Sequence, residues 1–167
     1  MKKFHFINGC KDIPNFISMD TLWDSIKKKN LSNSQNLFSP LDDKLDLFYI
    51  CLLVGLKHNT KDDVSRYEKD EITDKWTINL KNSKTSDYAI GLFLSKITKK
   101  HNDNKSLINK ELNEVLDYNS DTKLSEVGLT DLHNYAIGGY NIILKELDYK
   151  TPTNLVNFFV KIYKLLN

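Results

Sequence analysis

The sequence is poor in several residue types, and each shortage excludes a class of protein. Of its 24 basic residues only Arg66 is arginine, so bidentate reading of bases or phosphates is poorly supported. Two cysteines, Cys10 and Cys51, are too few for a disulfide scaffold, and six glycines and three prolines form no linker. The longest apolar run, residues 47–56, is about half the length of a membrane-spanning helix.

The length and overall composition are typical of a folded protein of ordinary size. The chain has 167 residues, 40% hydrophobic and 28% charged, which suits one domain with a real core. A net charge of +2 argues against a protein that binds polyanions by bulk charge. Lysine and asparagine are abundant, and both have AT-rich codons. The N-terminus has no apolar segment of the length a secretory signal needs, so we expect a cytoplasmic protein with no membrane partner.

Hydrophobic periodicity predicts a mostly α fold, a single compact helical domain of about six helices over residues 1–167. The segment after Ser39-Pro40 is apolar nearly all round beyond Asp46, which is typical of a helix at the centre of a domain. The predicted helices span residues 18–29, 41–57, 86–100, 106–118 and 129–149, and a last one begins at 151–152 and runs to 166.

A short two-stranded element is an option beside these helices. Trp76, Ile78 and Leu80 alternate with polar residues, which favours a strand, and residues 4–7 are a candidate partner. Alternatively, residues 76–80 form an extended loop held by Trp76.

Glycines cluster late in the chain. Gly138 and Gly139 lie inside a predicted helix, where each costs about 1 kcal/mol relative to alanine. The pair therefore predicts a close helix crossing or a break in the helix. A backbone surface used by a partner and a phosphate-binding turn are the alternatives.

Motifs for common chemistries are not found. The chain has neither G-x-x-x-x-G-K-[ST] nor G-x-G-x-x-G, and its four histidines are too scattered for a metal site. We expect His133, near a helix start, to be solvated or capping. Neither cysteine has the flanking residues of a nucleophile, and Cys51 reads as a buried free thiol. The sequence thus predicts no catalytic residues, no metal and no cofactor.

Two clusters of charged residues leave alternative functions open. Asp42, Asp43 and Asp46 lie within about one helical turn and could hold Mg²⁺ for phosphodiester cleavage, although acids in a first helical turn have a simpler explanation. Lysines that end two predicted helices could contact nucleic acid, or could be solvated helix ends with favourable dipole interactions. These lysines are Lys27, Lys28, Lys29, Lys99 and Lys100.

Two stretches together resemble a family of small proteins encoded beside bacterial DNA-phosphorothioation (Dnd) and other anti-phage defence genes. They are residues 44–59, KLDLFYICLLVGLKHN, and residues 132–143, LHNYAIGGYNII, about 30 of 167 residues. The first is similar to a segment with an acid, an aromatic and an apolar turn before Gly, although the alanines expected before Gly55 are missing. The second is similar to a Tyr-Ala-x-Gly-Gly element.

The resemblance implies a non-enzymatic accessory subunit that binds a larger ATPase, nuclease or DNA-modifying protein, with DNA contacted through the complex. It implies no catalytic residue. If this is right, we expect the isolated chain to expose an apolar patch for its partner. We assign partner binding to the two segments that carry the resemblance, at Gly55, Lys57, His58, Tyr135, Gly138, Gly139 and Tyr140.

Overall fold

Six α-helices and one pair of strands make up the part of the chain that the computed structural model describes, residues 5–10, 12, 16–31, 41, 44–71, 84–102 and 104–167. This confirms a mostly α fold with a short two-stranded antiparallel element. In chain order the elements are β1 His5–Cys10, α1 Met19–Leu31, α2 Lys44–His58, β2 Tyr67–Glu71, α3 Lys84–Lys100, α4 Lys105–Val115, α5 Glu126–Glu146 and α6 Leu155–Leu166.

Local capping explains where several helices begin. The Ser18 hydroxyl accepts a hydrogen bond from the backbone N–H of Thr21 and so caps α1. α5 begins three residues before the predicted Leu129, because Ser125 caps it. α6 begins at Leu155 rather than at residues 151–152, because Asn154 is its cap. The predicted start of α2 at Ser39-Pro40, with Asp42 and Asp43, lies outside the described residues.

The structure shows a strand pairing that the sequence analysis did not predict. β1 pairs antiparallel with β2, and Ile7 lies opposite Lys69 with an irregularity before Gly9. The described partner of the N-terminal strand is therefore the charged segment Tyr67–Glu71. Its sequence lacks the alternation of apolar and polar residues that predicts a strand. The predicted strand at residues 76–80 lies outside the described residues.

α2 and α5 form the most extensive helix pair and cross at glycine. A Cβ on Gly139 would lie 1.8 Å from the carbonyl oxygen of Cys51, and one on Gly55 would lie 1.9 Å from that of Tyr135. Only glycine permits so close an approach of two helical backbones. The close crossing predicted from Gly138 and Gly139 is therefore what the structure contains, and α5 continues unbroken through both.

The core surrounds this crossing and draws on every helix. Phe48, Leu52 and Tyr140 are fully buried beside it, and Phe93 of α3 and Phe158 of α6 cover it from two sides. α2 is thus central, as its uniformly apolar sequence predicts. No helix within the described ranges is long and apolar enough to cross a membrane.

Candidate functional site: a lysine-lined groove beside an exposed helix

The end of α2 directs the chain across α5. Asn59 adopts a left-handed conformation (φ 52°), and the N–H groups of Asn59 and Thr60 bond back to Leu56 and Gly55. This is the Schellman pattern, which turns the chain sharply away from the helix. The chain then passes so close to α5 that a Cβ on Gly138 would lie 2.3 Å from the Thr60 oxygen. Asn59 and Gly138 therefore position the next residue, Lys61.

Lys61 lies against the first half of α5. Its Nζ is 2.6 Å from Asp131 Oδ1 and 4.6 Å from the centre of the Tyr135 ring. The Tyr135 hydroxyl makes a long contact of 3.5 Å to Asn59 Oδ1. Tyr135 thus forms an aromatic floor with a cation above it.

α3 supplies the opposite wall. Lys96, Lys99 and Lys100 have the i, i+3, i+4 spacing that places side chains on one helical face. Together with Lys61 they line an open groove of about 580 Å³. The other lining residues are Asn59, Phe93, Ile97, Glu111, Asp131 and Tyr135. Four lysines face two carboxylates, so the groove has a net charge of +2, as large as that of the whole chain.

Glu111 of α4 closes one end of the groove. It accepts two hydrogen bonds from Lys100 Nζ, at 2.9 and 3.0 Å, and contacts His101 Nε2. Partial burial alone would raise the pKa of this carboxyl, but hydrogen bonds from His101 and Lys100 outweigh it and hold the pKa below its ordinary value. Glu111 is therefore a carboxylate that ties α3 to α4.

The other two groove lysines on α3, Lys96 and Lys99, are held differently. Lys96 Nζ donates to the carbonyl oxygen of Leu56, at 3.3 Å, near the end of α2. Lys99 is exposed and forms no ion pair with any residue in the described ranges. Lys99 is thus the cation in the groove that is most available to a ligand.

The predicted partner-binding residues divide into two groups. Gly55, Gly138, Gly139 and Tyr140 are buried in the helix crossing or beside it, and Tyr135 is only 7% exposed. By contrast, two residues at the end of α2 are exposed, namely Lys57 and His58, whose Nε2 lies 2.8 Å from the Leu165 oxygen of α6. The glycines therefore act in packing here, and partner binding through this set stays a prediction.

Of the remaining predicted charged residues, only Asp46 has a described side chain, and it is not among the residues that line the groove. Residues 27–29 form part of the last turns of α1, and their side chains lie outside the described set, as do Asp42 and Asp43. Asp46 lies half-buried in the first turn of α2. Among the described residues, no three His, Cys, Asp or Glu side chains cluster as a metal site would require.

Reactive or titratable side chains elsewhere in the described residues have structural roles. Burial raises the pKa of the Cys51 thiol far above its ordinary value, so it is a packed apolar group. His133, expected to be solvated or capping, is only 4% exposed and lies edge-on to the Phe48 ring, so that expectation is wrong. The buried face of α5 extends to its second turn and includes this position. Arg66 is bound by Asp12, at 2.9 Å, and by Asp62, at 3.1 Å.

A second surface feature lies on α6. Val156, Val160 and Tyr163 are 73%, 46% and 69% exposed, and their i, i+4, i+7 spacing aligns them on one face. We call these three residues the α6 stripe. The opposite face of α6 packs Phe158 and Ile162 into the core. α6 is thus apolar on two opposite faces, but only one of them packs against the protein. A helix that is covered on one side is usually polar on the other, so the second apolar face is not explained by folding alone.

The sequence analysis named Lys99, Lys100 and Tyr135 as candidates but missed Lys61, Lys96 and the α6 stripe, although a signal was present for Lys96 and for the stripe. The spacing of Lys96, Lys99 and Lys100 was readable as one helical face, and so was the second apolar face of α6. The approach of Lys61 to α3 had no local signal. The chain matches no protein-family model, no curated protein and no solved structure.

Proposed function

We propose that the protein is a non-enzymatic accessory subunit of a bacterial anti-phage defence complex and binds a larger protein, an ATPase or nuclease, through the α6 stripe. The exposed apolar face of α6 is the observation that carries this proposal. The defence context comes from the resemblance of residues 44–59 and 132–143. Any DNA contact is made through the complex.

The charge around the α6 stripe indicates what kind of partner fits it. α6 contains two lysines, Lys161 and Lys164, and no acidic residue. Lys161 Nζ is bound to the Glu146 carbonyl, whereas Lys164 is exposed beside Tyr163. Lys57 is exposed at the end of α2 that contacts the end of α6. The complementary surface is an apolar groove with carboxylates on its rim.

A second copy of this chain fits the α6 stripe less well than a larger partner does. Pairing two α6 stripes would bring like-charged lysines together. The stripe also offers apolar area on the order of a few hundred Å², whereas a stable interface buries about 1,200–2,000 Å² in total. A larger partner can supply contacts on both sides of the stripe.

The test is co-expression of the tagged protein with the products of the genes that flank its own. We expect a larger protein to co-purify with the wild type and not with Val160→Lys, because a charged side chain at the centre of the stripe cannot be desolvated. Val127→Lys is the matched control, since Val127 is 62% exposed on α5, outside the stripe.

Three results would contradict the proposal. One is undiminished binding of the same partner by Val160→Lys, provided circular dichroism shows both variants folded. Another is a stable homodimer that dissociates on Val160→Lys substitution. The third is that no flanking gene product binds.

Nucleic-acid binding remains the alternative function, favoured by the position of Lys99 and Lys100 in one groove with Lys61 and Lys96. It requires binding to duplex DNA that weakens steeply with salt. The metal-dependent nuclease using Asp42, Asp43 and Asp46 stays a prediction that Mg²⁺-dependent cleavage, lost on Asp46→Ala substitution, would support.

A further inference from the structure

We infer that the lysine-lined groove is a binding site for a phosphate-bearing small molecule of nucleotide size. The charge distribution is the first reason. The groove holds four lysines and two carboxylates, while the whole chain has a net charge of only +2. The groove is therefore a concave surface of net positive charge, and such a surface raises the local concentration of small anions.

The second reason is the way the lysines are held. Lys61 and Lys100 are paired with Asp131 and Glu111, and the two lysine side chains remain 43% and 58% exposed. Ion pairs this exposed contribute about 0–1 kcal/mol each. A phosphate group can therefore compete with Asp131 for Lys61 at little cost, while Lys99 meets it without breaking an ion pair to any residue in the described ranges. The ammonium groups bind phosphate as mobile point charges.

The third reason is the size and lining of the groove. Its volume of about 580 Å³ lies within the range of small-molecule sites. Phe93, Ile97 and Tyr135, which are largely buried, add apolar atoms to the lining beside the lysines. A ligand with an anionic end and a flat apolar part suits this mixed lining.

These observations favour a small ligand over nucleic acid. Glu111 and Asp131 both line the groove, and their negative charges disfavour a continuous phosphate backbone along it. The sole arginine, Arg66, is bound by Asp12 and Asp62 and is absent from the groove lining. This site is separate from the α6 stripe, so the two proposals fail independently.

Titration calorimetry at low salt, with ATP, AMP and inorganic phosphate as probes, tests the inference. We expect ATP to bind most tightly, with an affinity that falls as salt rises. Lys99→Ala should weaken ATP binding about tenfold, the loss of one charge-assisted contact. Asp131→Asn should strengthen it severalfold, because it removes a carboxylate that competes for Lys61.

Opposite signs for these two variants distinguish ligand binding from a general effect on folding, which thermal melts check directly. Lys145→Ala is the matched control, because Lys145 is exposed and lies roughly 21 Å along α5 from Asp131. The inference is overturned if none of the three probes binds at millimolar concentration, or if Lys99→Ala and Asp131→Asn leave ATP binding unchanged. Lysine-dependent binding of an oligonucleotide without binding of ATP would reassign the groove to nucleic acid.

Discussion

At the scale of single residues, two glycines decide how closely the central helices approach. Gly55 and Gly139 each face a carbonyl oxygen of the opposite helix at a distance that no Cβ tolerates. Gly91, on α3, has nothing within 4 Å of its virtual Cβ. The chain therefore offers a pair of helical glycines in which the same substitution has opposite effects.

We expect Gly139→Ala to destabilise the protein by at least about 3 kcal/mol, because the helices must separate and the core around them must repack. Gly91→Ala should stabilise it by about 0.5–1 kcal/mol, since an exposed helical glycine is replaced by the best helix former. Urea unfolding measures both. A Gly139→Ala variant within about 1 kcal/mol of the wild type would contradict the crossing geometry.

At the scale of elements, a carboxylate joins α3 to α4. Glu111 binds Lys100 and contacts His101, and its pKa is lower in the folded protein than in the unfolded chain. A carboxyl with a lowered pKa stabilises the fold above its unfolded pKa, and this contribution disappears as the pH falls through its folded pKa.

We therefore expect the melting temperature of the wild type to fall more than that of Glu111→Gln between about pH 5 and pH 3. At pH 7 the variant should melt lower than the wild type. Glu114→Gln, exposed on the same helix, makes the same change of charge without this contact and should follow the wild type. Parallel melting curves for the wild type and Glu111→Gln across this range would rule out the tie.

At the scale of the whole molecule, one hydrogen-bonded cluster joins segments far apart in the chain. Asp62 Oδ2 accepts from the Tyr67 hydroxyl and from Asn141 Nδ2, both at 2.7 Å, and Asp62 Oδ1 accepts from Arg66. Arg66 in turn holds Asp12. The cluster connects the N-terminal region, the segment before β2 and α5.

We expect Asp62→Ala to cost about 2 kcal/mol of unfolding free energy, because hydrogen bonds to a charged, part-buried acceptor are lost and their donors remain. Asp24→Ala, an exposed acid on α1, should change it by less than about 0.5 kcal/mol. Chemical denaturation compares them. Equal effects of the two substitutions would show that the cluster does not hold these segments together.

The helices were predictable because their signals are local. Apolar residues at helical spacing located α1 to α6, and the central place of α2 followed from residues 47–56 being apolar all round. The end of α4 and the start of α5 were each missed by three residues, because Leu116 leaves α4 to bridge to Leu124 and Ser125 caps the start of α5. Tertiary pairing and capping override periodicity at such points.

Long-range placement is what local patterns could not supply. The partner of β1 was missed because Tyr67–Glu71 is charged at four of its five positions and so lacks the alternation of apolar and polar residues that indicates a strand. The groove was missed because Lys61 reaches α3 only after the chain crosses α5 at Gly138.

The conclusions drawn from the scarce residue types are unchanged by the structure. With one arginine, two cysteines and no long apolar run, the sequence by itself argues against arginine-based nucleic-acid reading, a disulfide scaffold and a membrane-spanning helix. Composition supports these conclusions because it does not depend on where each residue lies in the fold. The tertiary structure alone decided that Lys61 joins the three lysines of α3 in one groove and that the second apolar face of α6 is exposed. Both depend on which helix faces meet, and that is a property of packing between residues far apart in sequence.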